Sequence, residues 1–255
     1  MRLALPSGGL DRYTSPSQRT RVATEAWAES NLFCPICPSP HLEPSGANTP
    51  AVDFTCPRCA SLFQLKSKSG PFTTKIVDAA YAAMRAAILE DRTPNLFALH
   101  YQPGDWKVHN LFLVPRFAFP LTAIEKRNPL GPRARRAGWI GCNILLDRIP
   151  ADARIPIVLD GAPQPPAAVR ARYRQLTPFA KLAVEKRGWT LDVLNVVRSL
   201  GRDEFSLADV YAFERDLARL HPGNRHVRDK IRQQLQILRK MEILEFLGHG
   251  RYRLL

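Results

Sequence analysis

Two C-x-x-C pairs, Cys34-Pro35-Ile36-Cys37 and Cys56-Pro57-Arg58-Cys59, stand 18 residues apart, and this spacing constrains the chain more than any other feature. Each pair can turn as a knuckle that aims two thiolates at one ion. Four sulfurs around Zn²⁺ complete a tetrahedral shell with no open position, so the implied role is structural. Two disulfides or a redox pair are the competing reading of the same cysteines. Paired knuckles in a cytosolic chain favour zinc. The fifth cysteine, Cys142, stands apart and reads as a small buried apolar residue.

Around the knuckles, Ala51–Thr55 and Leu62–Lys66 are short β-type runs that read as paired strands beside the metal. The alanine-rich run from Lys75 to Glu90 predicts a core helix, because alanine has the highest helix propensity and small side chains pack closely. Leu96–Leu99 and Leu111–Val114, parted by a polar turn with Pro103, Gly104 and Asp105, predict two strands, and Ile155–Leu159 another. The first domain is therefore mixed α and β. The prolines between Asp160 and Pro166 lack backbone donors and predict a loop near a domain edge.

A helix is expected from Ala167 to about Lys186. After Gly188 come three helical patterns, Trp189–Leu200, Leu207–Leu220 and Arg225–Met241, and then a hairpin from Ile243–Leu247 and Arg251–Leu254. That order describes a winged helix. With 255 residues, 45% of them hydrophobic, the chain is long enough to bury a core and divide into two domains.

Lysine and arginine number 37 against 23 acidic residues, a net charge of +14, which suits a polyanion because cations displace counterions from phosphates. Charge alone does not separate DNA from RNA or an acidic membrane. The opening Met1–Leu10 is interrupted by Pro6, Ser7, Gly8 and Gly9 and lacks the apolar core of a signal peptide, and no later run is long and apolar enough to span a bilayer. The expectation is a cytoplasmic protein with no membrane partner.

Asp53 lies between the knuckles and Gln64-Leu65-Lys66 follows the second, so a zinc site would pin together the strands that carry these polar groups. On a strand, Gln64 and Lys66 share a face. Phosphodiester hydrolysis needs oxygen ligands for Mg²⁺, an activated water and a cation near the phosphate, and these three residues can supply such groups. A half-exposed strand pair can show the same pattern with no such role.

Arg133, Arg135 and Arg136 precede Trp139 in a stretch flanked by Pro and Gly, a layout that suits phosphates or guanine edges and a base stack. A solvated basic loop with Trp139 in the core is the plainer reading. In the last helix, Val227, Ile231, Leu235 and Leu238 share one face, leaving Arg225, Arg232, Gln233 and Gln236 nearer the other, where they can face DNA or only solvent. Gly248 and Gly250 allow a tight hairpin turn, and His249, Arg251 and Arg253 are placed to reach phosphates.

From the early cysteines through Arg135-Arg136-Ala137-Gly138-Trp139-Ile140-Gly141-Cys142-Asn143 to Ile231-Arg232-Gln233-Gln234-Leu235-Gln236-Ile237-Leu238-Arg239, the chain resembles the DpnI-like methyl-directed (type IIM) restriction endonucleases. The resemblance spans essentially the whole sequence. It implies an α/β (α+β) PD-(D/E)XK nuclease domain with an inserted four-Cys zinc site over residues 1–185 and a C-terminal winged-helix domain over 186–255. Both would recognise double-stranded DNA at GATC carrying N6-methyladenine, with catalytic Mg²⁺, structural Zn²⁺ and the chain acting as a monomer.

Asp53 and Lys66 fall on the family's catalytic positions. Gln64 departs from the pattern, because the matching position is an acidic metal ligand and an amide offers only a neutral carbonyl oxygen. Metal affinity should fall, yet some PD-(D/E)XK-like nucleases carry glutamine there. Cleavage is the first expectation and a catalytically weak or inactive reader of methylated DNA the alternative. A zinc-ribbon transcription regulator would fit the charge and the winged helix but leaves the resemblance unexplained. Trp139 is expected against the methyl groups: the N6-methyl projects into the major groove, where an apolar surface gains contact only with the modified base.

Overall fold

The computed structural model describes residues 1–46 and 51–255. Helix α1 (Pro16–Asn31) is followed by strands β1 (Glu43–Pro44), β2 (Phe54–Thr55), β3 (Leu62–Ser69) and β4 (Lys75–Ala80) and by helix α2 (Tyr81–Leu89). Next come β5 (Asn95–Gln102), β6 (Lys107–Val114), β7 (Ile124–Lys126), β8 (Gly141–Leu145), β9 (Ile155–Leu159) and β10 (Ala162–Pro163), then helices α3 (Pro166–Ala180) and α4 (Val184–Ser199). The last part runs β11 (Glu204–Ser206), α5 (Leu207–Tyr211), α6 (Glu214–Leu220), α7 (Val227–Lys240), β12 (Leu244–Gly248) and β13 (Arg251–Leu254). Two compact units interleave along the chain: Met1–Ala79, Arg92–Arg116 and Ala153–Thr177 form one, and Ala80–Asp91, Phe117–Asp152 and Pro178–Leu255 the other.

The first unit is built on a seven-stranded sheet in the order β1-β2-β3-β5-β6-β9-β10. Strands β3 and β5 run parallel and the remaining neighbours antiparallel. Strand β5 is buried from Asn95 through Tyr101, which is why Leu96–Leu99 is a continuous apolar run instead of an alternating one. Phe63 and Phe97 stack at 5.2 Å across β3 and β5. Helix α1 buries Ala23, Trp27 and Ala28, and its Thr24 Oγ1 donates to Ser67 Oγ of β3 at 3.2 Å.

Three sequence expectations need correction here. Lys75–Ala80 is strand, and the helix begins only at Tyr81. The alanines suggested a helix, but Lys75 to Asp78 alternate exposed and buried, and β-branched Ile76 and Val77 favour the pleated form. The strand expected over Ala51–Thr55 is confined to Phe54–Thr55, since Ala51 adopts a left-handed φ of 58° that ends pairing. The loop expected over Asp160–Pro166 contains a tight hairpin: Asp160 and Gly161 have φ of 48° and 74°, the Asp-Gly turn that joins antiparallel strands β9 and β10.

Helix α3 stops at Ala180 instead of running to Lys186. Pro178 has no N–H for the Arg174 carbonyl, which accepts from Thr177 Oγ1 at 2.7 Å instead. Lys181 and Leu182 then close the helix with bonds to residues three back.

In the second unit β7 and β8 pair antiparallel, with Cys142 opposite Lys126. Cys142 is buried, as its isolation suggested. Helix α4 carries a polar set inside its apolar face. Asp192 accepts Thr122 Oγ1 at 2.8 Å and pairs with His221 Nε2 at 2.8 Å, and the His221 ring stacks on Trp189 at 3.7 Å. Arg187 Nη2 donates to Asp91 Oδ1 at 2.6 Å. Pairing is what makes the burial of these groups tolerable.

The C-terminal helices pack beside a three-stranded sheet in the order β11-β13-β12. Ser206 and Asp209 form a reciprocal capping box at α5. The single helix expected over Leu207–Leu220 is divided between α5 and α6.

Candidate functional site

The second knuckle is itself the turn between β2 and β3. Cys56 N donates to Ser61 O at 2.9 Å and Ala60 N to Cys56 O at 2.9 Å, and the strands then pair Phe54 with Phe63 and Thr55 with Leu62. The four Sγ atoms lie within 4.8 Å of one another, with Cys34 and Cys59 at 3.7 Å and Cys37 and Cys56 at 3.5 Å. A tetrahedron of Zn–S bonds has sulfur edges of about 3.8 Å, so the cluster fits Zn²⁺, whereas a disulfide needs about 2.05 Å. Ile36 N and Cys37 N both reach Cys34 Sγ at 3.4 Å. Burial pushes the Cys34 thiol well up from its ordinary value. Burial acts the same way on Cys56 and is the largest single influence, but the N–H groups of Cys59 and Arg58 and the side chains of Cys59 and Cys37 together outweigh it and bring that thiol down to about 7. From α3, Arg170 Nε donates to Cys34 O at 3.0 Å and Nη2 to Ser39 O at 3.1 Å, clamping the first knuckle.

The register set by the second knuckle carries Asp53 against β3. Asp53 N donates to Phe63 O at 2.9 Å, and Asp53 Oδ2 accepts Leu65 N at 2.7 Å, so its carboxylate sits beside the residue between Gln64 and Lys66. Both of those side chains reach Asp78 of β4. Lys66 Nζ lies 2.7 Å from Asp78 Oδ1, and Gln64 Nε2 donates to the same oxygen at 3.2 Å. Gln64 and Lys66 thus meet at Asp78, and Asp53 is held on the backbone of the residue between them.

Asp78 was not singled out from the sequence. Its signal was an acid at an inward position of an alternating run, hidden by the alanines that follow. Glu25 of α1 was also missed. Burial raises its carboxyl, and the Asp53 charge adds to that rise while Arg21, 3.1 Å away, opposes it.

Between β7 and β8 the chain closes a basic loop. Leu130 N donates to Trp139 O and Gly138 N to Leu130 O, each at 2.9 Å. Arg133, Arg135 and Arg136 are exposed and Trp139 is half-buried, with the Arg136 guanidinium 5.0 Å over the indole.

Helix α7 buries Val227, Ile231, Leu235 and Leu238 and exposes Arg232, Gln233 and Gln236. Arg225, expected inside this helix, lies in the turn before it, where His226 N donates to Asn224 Oδ1 at 2.8 Å. Arg232 is paired with Asp229 one turn back. Gln234 is buried, accepts Thr190 Oγ1 at 2.8 Å and donates to Gln233 at 3.2 Å. In the hairpin, His249 takes φ 47° at the exposed turn. Arg251 and Arg253, expected to be available to phosphates, are instead bound to Glu204 at 2.9 and 2.8 Å.

With this geometry in view, comparison of the sequence with family models decides its kinship. The DpnI model, described as the Dam-replacing family, matches residues 1–181. The chain belongs to the Dam-replacing family. The Dam-replacing HTH domain matches residues 185–254, from α4 through β13. The gap between the two matches falls where α3 ends and α4 begins. Among the described residues no helix is long and apolar enough to cross a membrane.

Proposed function

We propose that this Dam-replacing protein is a methyl-directed restriction endonuclease that cleaves double-stranded DNA at GATC sites carrying N6-methyladenine, by metal-dependent hydrolysis in a PD-(D/E)XK domain. The observation that carries this reading is that Asp53 is held on the Leu65 backbone while its neighbours Gln64 and Lys66 meet at Asp78, beside strands tied together by a cysteine knuckle. A carboxylate and an amide carbonyl form the oxygen donor set that suits a hard divalent ion. Asp53 and Gln64 would hold Mg²⁺, which when bound supplies positive charge to activate a water and polarise the phosphate. Lys66 places its ammonium beside the same site, where it stabilises negative charge developing on the phosphate oxygens.

The remaining assignments follow the same reading. Residues 1–185 form the nuclease domain, with Cys34, Cys37, Cys56 and Cys59 holding a structural Zn²⁺, and residues 186–255 form a winged helix. Helix α7 enters the major groove with Arg232, Gln233 and Gln236, and Arg225 meets the DNA from the preceding turn. The basic loop brings Arg133, Arg135 and Arg136 to phosphates or guanine edges and Trp139 to the N6-methyl groups.

A methylated-DNA reader without cleavage is the second reading, and the amide at position 64 is the observation that favours it. The test is incubation of the purified chain with adenine-methylated and unmethylated copies of one GATC-containing plasmid, with Mg²⁺ or with chelator. Discrete fragments from the methylated plasmid alone, and only with Mg²⁺, are expected. Intact DNA throughout, with methyl-selective binding, would establish the reader.

A further inference from the structure

Two residues of the proposed cleavage centre end on one atom that belongs to neither. Asp78 Oδ1 takes Lys66 Nζ at 2.7 Å and Gln64 Nε2 at 3.2 Å, and the Asp78 side chain is 1% exposed against 26% for Lys66. A buried carboxylate is costly unless charged and polar donors satisfy it, and here they are a lysine and an amide from the same face of β3. An ionised carboxylate only accepts hydrogen bonds. Gln64 must therefore turn its NH₂ toward Asp78 and its carbonyl oxygen away. Without such a partner the two ends of the amide are nearly the same shape, and either could face a cation.

The geometry points to Asp78 as the positioning residue of the centre: it fixes Lys66 Nζ and orients Gln64 so that Oε1 is the atom offered to a hard divalent cation. The inference rests on reading Asp53, Gln64 and Lys66 as the nuclease centre. It accounts for how a neutral amide serves as an oxygen ligand in this centre. The carboxylate stands one hydrogen bond behind the ligand and polarises the amide, strengthening its carbonyl as a donor to the ion.

The test uses the full chain with Asp78→Asn, which keeps the shape but can donate to Gln64 Oε1, and with Asp78→Glu, which keeps the acceptor. Ca²⁺ binding is measured by calorimetry in the Gln64 chain and in a Gln64→Glu chain, where either end of the side chain is an oxygen. Asp78→Asn is expected to weaken Ca²⁺ binding about tenfold in the Gln64 chain but not in the Gln64→Glu chain, where removing a neighbouring negative charge relieves repulsion. Asp78→Asn is also expected to slow cleavage of methylated plasmid about 100-fold, with affinity for the methylated duplex in chelator kept within about twofold, and Asp78→Glu to recover part of the rate.

Equal Ca²⁺ losses in both chains, no loss in either, or no Ca²⁺ binding to the wild-type chain would each overturn the inference. A wild-type chain that binds Ca²⁺ in the expected pattern yet cuts nothing would overturn the nuclease reading and leave the orientation of Gln64 by Asp78 standing.

Discussion

Trp139 and Gly141 compete for one volume: a Cβ on Gly141 would stand 2.8 Å from both Cη2 and Cζ3 of the indole. The ring therefore lies directly over the first residue of β8, and only glycine permits it. Such an approach pre-sets the indole plane before any ligand arrives, which is what a surface that must distinguish one methyl group requires.

Gly141→Ala is expected to displace the ring without removing it. The ratio of affinities for methylated and unmethylated GATC duplexes should fall about tenfold, equivalent to about 1.4 kcal/mol, while binding to duplexes lacking the site is unchanged. Fluorescence anisotropy in chelator measures this. An unchanged ratio in both Gly141→Ala and Trp139→Ala would remove Trp139 from methyl recognition.

Arg170 predicts a dependence of the cysteine cluster on α3. Its two bonds, to Cys34 O at 3.0 Å and Ser39 O at 3.1 Å, use the fork of the guanidinium, and its charge lies 5.3 Å over the Phe33 ring. A lysine cannot reproduce that fork. Arg170→Lys is expected to cost about 1–3 kcal/mol in unfolding free energy by leaving carbonyls unpaired. Elemental analysis should find one zinc per chain in both proteins, with the variant losing it to chelator several-fold faster. Equal release rates would show that α3 does not support the knuckle.

Glu204 holds Arg251 and shares Arg253 with Glu245 in the C-terminal sheet. The Arg253 guanidinium, by hydrogen bond and charge, and then Arg251 hold the Glu204 carboxyl below its usual value. A carboxyl depressed in the folded state contributes stability above its unfolded value, and that contribution disappears as pH falls through the lowered folded value. Glu204→Gln should remove this acid-side dependence and release Arg251, while Arg253 keeps its 3.0 Å pair with Glu245. DNA binding should then tighten at low salt, with the slope of log K against log salt steepening by up to about 1. An unchanged slope would mean that Arg251 does not reach a phosphate.

Much of this was legible because local chemistry decides it. The knuckle spacing foretold the four-sulfur cluster, and the apolar periodicity of Val227, Ile231, Leu235 and Leu238 foretold the buried face of α7. The run from Lys75 misled because alanine propensity and strand alternation competed over a few residues, and pairing geometry, which no local window contains, decided for the strand. That same error hid Asp78, since an acid on an exposed helix face is unremarkable and an acid facing inward from a strand is not. The ties of Arg251 and Arg253 to Glu204 depend on β11 pairing with β13, a contact between residues about fifty apart in sequence that composition cannot show.

Gln64→Glu tests residue 64 as a metal ligand. An anionic oxygen binds Mg²⁺ more strongly than an amide carbonyl, so the Mg²⁺ concentration for half-maximal cleavage should fall about tenfold. The new carboxylate would also stand where Gln64 Nε2 is now 3.2 Å from Asp78 Oδ1. Two carboxylates at that separation hold a proton between them more tightly than either does alone. Once protonated, the introduced carboxyl has no advantage over the native amide, so the gain should be full at alkaline pH and shrink as pH falls. Cleavage rates against Mg²⁺ at several pH values measure both effects. A Mg²⁺ requirement that stays the same at every pH would show that residue 64 does not touch the ion, and Asp53 would then need a different partner.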